Sequence, residues 1–120
     1  MILEKYIKSF AFAIAGIGYA FRGQVNMRFH SIATILVIIS AIILHLTALE
    51  WCIILLCIGS VLAAELINTS IEVNVDLQSP ERNEKAGNVK DLAAAAVLVI
   101  CIVSAIIGSI VFIPKIIHFI

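Results

Sequence analysis

The side chains best suited to chemistry lie in one stretch, ELINTSIEVNVD, which covers residues 65–76. If this stretch is helical, with about 100° of rotation per residue, its polar residues share an arc of roughly 100°. We call this set of residues the acidic stripe, and its members are Glu65, Asn68, Thr69, Glu72 and Asp76. Several carboxylates without a basic residue among them favour the binding of a hard divalent cation such as Mg²⁺.

The elements that must position the stripe are strongly apolar. The chain of 120 residues is 62% hydrophobic and 13% charged, with a mean hydropathy of +1.15. Three apolar runs are each long enough, at about 20 residues, to cross the hydrocarbon core of a membrane. We predict transmembrane helices over residues 31–49, 51–73 and 92–113, in one all-α integral membrane domain of residues 1–120. The first two spans are predicted to form an antiparallel hairpin.

The segments outside the spans carry most of the charges. Apolar residues recur at helical spacing in residues 1–29, which predicts an amphipathic helix along the membrane surface; a fourth, poorly formed span is the alternative. Residues 77–89 are predicted to form a long polar loop. All Lys and Arg residues except Lys115 precede the first span or lie between the second and third. This distribution predicts that the N-terminus and the 77–89 loop are cytoplasmic.

Glu65 is predicted to lie near the cytoplasmic end of the second span. A carboxylate at that depth is costly unless it has a partner or a task, which makes Glu65 a candidate functional residue. A structural role, in which Glu65 helps to hold an oligomer together, stays open. The third helix is predicted to begin near Asn88, where free backbone amides and Lys90 could hold phosphates beside the stripe. A Lys–Asp pair there is also typical of a snorkelling charge and a capping acid.

Several classes of function find no support in the sequence. No Walker A motif is present, and the net charge of zero does not indicate binding to nucleic acid. The three cysteines, Cys52, Cys57 and Cys101, lie in apolar runs without metal-ligand spacing, so we expect small buried thiols. A non-enzymatic membrane protein whose acidic stripe binds or conducts cations is the alternative to an enzyme.

The acidic stripe resembles a motif of the prokaryotic diacylglycerol kinase family, which includes the undecaprenol kinases of Gram-positive bacteria. That motif reads E-x-x-N-[ST]-[AS]-I-E-x-x-V-D, and its defined positions are matched here by Glu65, Asn68, Thr69, Ser70, Ile71, Glu72, Val75 and Asp76. The family's Lys-Asp pair before an alanine-rich helix is matched by Lys90, Asp91 and residues 93–96. The Ser9-Phe10 and Gly16-Ile17 pairs resemble its surface helix. The resemblance covers nearly the whole chain.

The resemblance implies a homotrimer in the bacterial cytoplasmic membrane, with composite active sites between subunits. It implies transfer of the ATP γ-phosphate, with Mg²⁺, to the hydroxyl of a membrane lipid, either undecaprenol or diacylglycerol. By matching position, Glu65 would be the catalytic base and Glu72 a Mg²⁺ ligand. Further residues implied around the nucleotide and metal are Asn68, Asp76, Lys90, Asp91, Gln24, Lys5 and Phe12. Phosphoryl transfer mainly requires positioning, charge neutralisation and an oriented nucleophile, which such a set could supply.

One position departs from the family pattern. The family usually has E-x-N-x-R-x-H before the first span, where this chain has Gln24, Asn26, Arg28 and His30. Gln24 offers a carbonyl oxygen to Mg²⁺ but no negative charge, so we expect a lower metal affinity. A natural variant with a weaker metal demand, a deliberate substitution and a member that no longer catalyses are all compatible with this residue. The wording ELINTSIE favours undecaprenol slightly over diacylglycerol.

Overall fold

The computed structural model describes residues 1–81 and 83–120; Arg82, one of the positive charges behind the predicted orientation, lies outside them. The described residues form four α-helices, which are α1 (Ile2–Gly23), α2 (Val25–Ile43), α3 (Ala48–Gln78) and α4 (Glu84–Phe119). Within these ranges, α2, α3 and α4 are long and apolar enough to cross a membrane. The prediction of an all-α protein with three membrane-spanning helices is confirmed.

The N-terminal helix ends earlier than the surface helix predicted over residues 1–29. The backbone at Gln24 is extended, with φ −122° and ψ 118°, and a new helix begins at Val25. The guanidinium of Arg28 spans this break, donating to the carbonyl oxygens of Phe21 at 3.1 Å and Arg22 at 3.0 Å. These bonds satisfy carbonyls at the end of α1 that have no partner within the helix. Residues 25–29 therefore belong to α2.

The turn between α2 and α3 begins earlier than predicted. Residues 44–49, the predicted end of the first span, lie outside α2, and His45 adopts the left-handed conformation with φ 54°. Thr47 then caps α3: its hydroxyl accepts a hydrogen bond from the amide of Glu50 at 3.3 Å, and the Glu50 carboxylate accepts one from the amide of Thr47 at 2.9 Å. This reciprocal capping box explains why α3 begins at Ala48.

Most of the segment predicted as a polar loop, residues 77–89, is helical. The Asn83 side chain accepts a hydrogen bond from the amide of Ala86 at 2.8 Å, so that α4 begins at Glu84. The amides near Lys90 are therefore bonded within the helix, because only the first turn has unpaired N–H groups. The prediction that a helix N-terminus near Asn88 offers free amides to phosphates is wrong.

The buried apolar cluster and the acidic stripe lie toward opposite ends of the packed helices. The most extensive contacts between helices join α3 to α4, while α2 and α1 contact α3 less extensively. The buried apolar cluster lies near the α2–α3 turn and contains Ala41, Leu46, Ile54 and Val111. An ion pair of 3.0 Å between Glu50 and Lys115 lies at the same end. The acidic stripe occupies the opposite end of α3.

Candidate active site

Glu65 is the most deeply buried polar side chain of the acidic stripe. It is 1% exposed, and within the described residues neither carboxylate oxygen has a hydrogen-bond partner. Its Oε2 lies 4.0 Å from Nε2 of His30 on α2. Removing a carboxylate from water without giving it hydrogen bonds costs free energy. A carboxylate buried in this way is more typical of a functional residue than of a structural one.

His30 on α2 lies beside Glu65, although in the sequence it stands out only as part of the pattern before the first span. Its Nε2 lies 3.9 Å from the Cys101 sulfur on α4, and its ring contacts the Phe29 ring edge-on with centroids 5.5 Å apart. Glu65, His30 and Cys101 thus bring three helices together at one point. Helical spacing reveals neighbours within one helix, so it could not reveal a contact made between helices.

The middle of the stripe passes from buried to half-buried. Asn68 and Thr69 are 5% and 4% exposed, whereas Glu72 is half-buried. The Asn68 amide donates to the Glu72 carboxylate at 3.4 Å, and the Thr69 hydroxyl donates to the Glu65 backbone carbonyl at 2.9 Å. The Thr69 hydroxyl is therefore engaged by its own helix, while Asn68 orients the carboxylate of Glu72.

The outer end of the stripe joins α4. The Lys90 ammonium forms an ion pair with the Asp76 carboxylate, and both side chains reach solvent. Asp76, Lys90 and Asp91 line a cleft of about 410 Å³ at this end of the two helices. The structure thus brings Asp76 next to the Lys90–Asp91 pair, and Lys90 is 14 residues further along the chain. Glu81 also lines the cleft, so its described lining holds three carboxylates and one ammonium.

The remaining predicted site residues lie apart from the stripe. Lys5 and Phe12 are exposed on α1, and Gln24 is half-buried at the break between α1 and α2. Among the described residues, no hydrogen bond or ion pair joins these three to the acidic stripe. Nor do residues 1–81 and 83–120 contain a group of three His, Cys, Asp or Glu side chains that could hold a metal ion.

An apolar groove of about 530 Å³ opens between α2, α3 and α4 beside His30. His30 and Ser104 line its end near Glu65, and Ile54 and Phe112 line its far end. Gly108 leaves its wall open, since a Cβ atom added there meets no atom within 4 Å. Glu65 does not line this groove, but His30, which does, lies 4.0 Å from the Glu65 carboxylate.

Comparison with known proteins agrees with the resemblance of the acidic stripe. The family described as "Prokaryotic diacylglycerol kinase" matches residues 11–112. The chain is 41% identical to an undecaprenol kinase from Bacillus subtilis over 113 residues, which cover 94% of this chain and 92% of that protein. It is 38% identical to a diacylglycerol kinase from Synechocystis sp., over 94% of this chain and 65% of that protein. A diacylglycerol kinase from Escherichia coli is 28% identical, with 85% and 84% covered.

These matches confirm the family inferred from the stripe, and they extend well beyond it, over nearly the whole chain. The chain belongs to the prokaryotic diacylglycerol kinase family and is a membrane lipid kinase, a phosphotransferase.

Proposed function

We propose that the protein transfers the γ-phosphate of ATP to the hydroxyl of a membrane lipid, with Mg²⁺ as its cofactor. The proposal rests on the carboxylate of Glu65, which is buried and has no hydrogen-bond partner among the described residues. The chain that carries this carboxylate belongs to a lipid kinase family. Family membership leaves the alternative of a non-enzymatic cation-binding protein without support.

Glu65 is proposed as the general base. Both of its oxygens lack a hydrogen-bond partner among the described residues, so one of them can take the proton of a lipid hydroxyl. The hydroxyl oxygen then attacks the γ-phosphate of ATP, and ADP leaves. Water reaches this side chain poorly, because only 1% of it is exposed. Exclusion of water favours phosphate transfer to the lipid over hydrolysis of ATP.

The alkyl chain of the acceptor is proposed to occupy the groove beside His30. His30 lines this groove and lies 4.0 Å from Glu65, so a hydroxyl at that end of the groove meets the base. Undecaprenol is our first proposal for the acceptor, supported by 41% identity to an undecaprenol kinase over nearly the whole chain. Diacylglycerol is our second proposal for the acceptor, because the 38% identical relative is named as a diacylglycerol kinase.

Glu72 and Gln24 are proposed as Mg²⁺ ligands. Carboxylate and amide oxygens suit this hard cation, which usually takes one or two protein carboxylates together with phosphate oxygens of the nucleotide. When bound, Mg²⁺ neutralises charge on the phosphates. The described residues of one chain contain no group of three His, Cys, Asp or Glu side chains that could hold a metal ion. We therefore propose that another subunit of a homotrimer supplies further ligands to the Mg²⁺ site. Asn68 holds the Glu72 carboxylate by its hydrogen bond of 3.4 Å.

The cleft at the outer end of the stripe is proposed as the nucleotide side of the site. Lys90 supplies a positive charge for the phosphates, while Asp76 orients its ammonium. Asp91 lines the same cleft. Lys5 and Phe12, on the exposed face of α1, are proposed as further nucleotide contacts. This cleft, the N-terminus and the segment between α3 and α4 are proposed to face the cytoplasm, where ATP is found.

The direct test is a transfer assay with the full chain in lipid bilayer nanodiscs. The protein is mixed with Mg²⁺ and ATP labelled at the γ-phosphate, and undecaprenol and diacylglycerol are offered separately. We expect labelled lipid in both reactions, with the higher kcat/KM for undecaprenol. If neither lipid is labelled, the proposed function is wrong; if diacylglycerol is clearly preferred, only the choice of acceptor is wrong.

A further inference from the structure

We infer that His30 is a positioning residue for Glu65, whose imidazole holds the buried carboxylate in the orientation that accepts the proton of the lipid hydroxyl. This inference rests on the proposed role of Glu65 as the base. It adds to the site a residue from a different helix.

The contacts of Glu65 single out His30. Among the described residues, His30 provides the one ion-pairing side chain within 4.0 Å of the Glu65 carboxylate, where Oε2 faces Nε2. The Asn68 amide donates instead to Glu72, and the Thr69 hydroxyl donates to a backbone carbonyl. The two stripe neighbours of Glu65 are thus directed elsewhere, and the imidazole is left as its partner.

A buried base needs such a partner to keep one geometry. A carboxylate without hydrogen bonds has nothing to fix its rotation, and its charge is poorly tolerated away from water. An N–H of His30 directed at Oε2 fixes that oxygen and leaves Oε1 for the substrate. The distance of 4.0 Å exceeds that of a hydrogen bond, and catalytic hydrogen bonds are often long before substrate binds and shorten in the complex.

The surroundings of His30 hold its ring while leaving it accessible from the groove. Phe29 contacts the ring edge-on, and the Cys101 sulfur lies 3.9 Å from Nε2. The thiol is a weak donor and acceptor, so it competes little with the carboxylate for the imidazole. The His30 side chain is 17% exposed and lines the groove proposed for the acceptor. His30 therefore lies between the acceptor and the base.

Two substitutions separate positioning from packing. His30→Leu keeps an apolar side chain of similar size but removes the N–H donor, whereas His30→Gln keeps a side-chain N–H. Because a hydrogen bond to a charged group is lost, we expect His30→Leu to lower kcat by roughly 10- to 100-fold. The KM for ATP should stay unchanged, because the nucleotide cleft lies at the other end of the stripe. His30→Gln should restore most of the lost kcat.

Ser31→Ala is the matched control, because Ser31 adjoins His30 on α2 and its hydroxyl donates to the Met27 carbonyl of the same helix at 2.8 Å. This variant should retain wild-type kcat. The thermal unfolding temperature of each variant in detergent is measured beside the kinetics. The inference is overturned if His30→Leu retains wild-type kcat, or if His30→Leu and His30→Gln lose activity equally.

Wild type and Glu65→Gln are measured in the same assay, to separate a failure of the proposed function from a failure of the role inferred for His30. If wild type labels lipid and Glu65→Gln does not, the proposed function stands, and the His30 variants alone decide this inference. If Glu65→Gln is fully active, the role of Glu65 fails, and the role of His30 fails with it.

Discussion

Lys90 on α4 and Asp76 on α3 form an ion pair that joins the two helices with the most extensive mutual interface. The pair lies at the end of these helices opposite the Glu50–Lys115 pair. Each end of the α3–α4 interface therefore carries a charge pair between the two helices. At the end with the acidic stripe, the pair places an ammonium in the cleft that we assign to the nucleotide.

Replacement of Lys90 by Met should weaken the use of ATP. We expect kcat/KM for ATP to fall by roughly 10- to 100-fold, since a charged hydrogen bond to phosphate is lost. Stability should change by at most about 1 kcal/mol, because ion pairs between solvent-exposed side chains contribute little. Lys85→Met, which removes a lysine from the first turn of α4, serves as the control. An unchanged kcat/KM for ATP in Lys90→Met would exclude Lys90 from the nucleotide site.

The substitution Gln24→Glu should lower the Mg²⁺ concentration required for half-maximal rate. A carboxylate adds negative charge to the oxygen that the amide already offers, and Mg²⁺ binds carboxylates more tightly than amides. Gln78→Glu, which makes the same chemical change at the end of α3, should leave the Mg²⁺ dependence as it is. Identical Mg²⁺ titrations for wild type and Gln24→Glu would rule out Gln24 as a ligand.

A leucine at position 108 should obstruct the acceptor. The added side chain enters open space in the wall of the groove, so the helix can accommodate it. We expect the KM for the lipid to rise while the KM for ATP is unchanged. Gly59→Leu is the matched control, because position 59 also has open space around it but does not line the groove. If Gly108→Leu changes the oligomeric state and leaves the lipid KM unchanged, a neighbouring subunit covers this surface instead.

The orientation of the chain can be tested by cysteine labelling. In a background with the three native cysteines replaced by alanine, Glu81→Cys lies between α3 and α4, and Ala48→Cys lies at the start of α3. An impermeant maleimide added to right-side-out vesicles should label Ala48→Cys and spare Glu81→Cys. Inverted vesicles should give the reverse pattern. Labelling of Glu81→Cys from outside would contradict the predicted cytoplasmic side.

The length of the apolar runs predicts the number of membrane-spanning helices, but it does not predict where each helix begins and ends. Apolar length alone predicted three spans, because a helix crossing a membrane needs a run of fixed length. The starts of α3 and α4 depend on hydrogen bonds at the capping residues Thr47 and Asn83, which are residue types typical of helix N-termini. Apolar length alone therefore predicts a hairpin turn that begins too late and a polar loop that is too long.

The site was predictable within a helix and not between helices. The spacing of Glu65, Asn68 and Glu72 placed them on one face of α3, where the structure buries the first two and bonds the second to the third. The contact of Glu65 with His30 depends on how α2 packs against α3, which periodicity does not encode. The composite metal site stays a prediction, since it requires residues of a second subunit.

The most direct test of the account measures phosphate transfer to lipid by Glu65→Gln, with nucleotide affinity measured in parallel. The substitution keeps the shape of the side chain but removes its ability to accept a proton. If Glu65 is the base, the kcat of Glu65→Gln should fall by roughly 100- to 10,000-fold, while its affinity for Mg-ATP should equal that of wild type. A Glu65→Gln variant that labels undecaprenol or diacylglycerol at the wild-type rate would contradict the central claim that this buried carboxylate is the base.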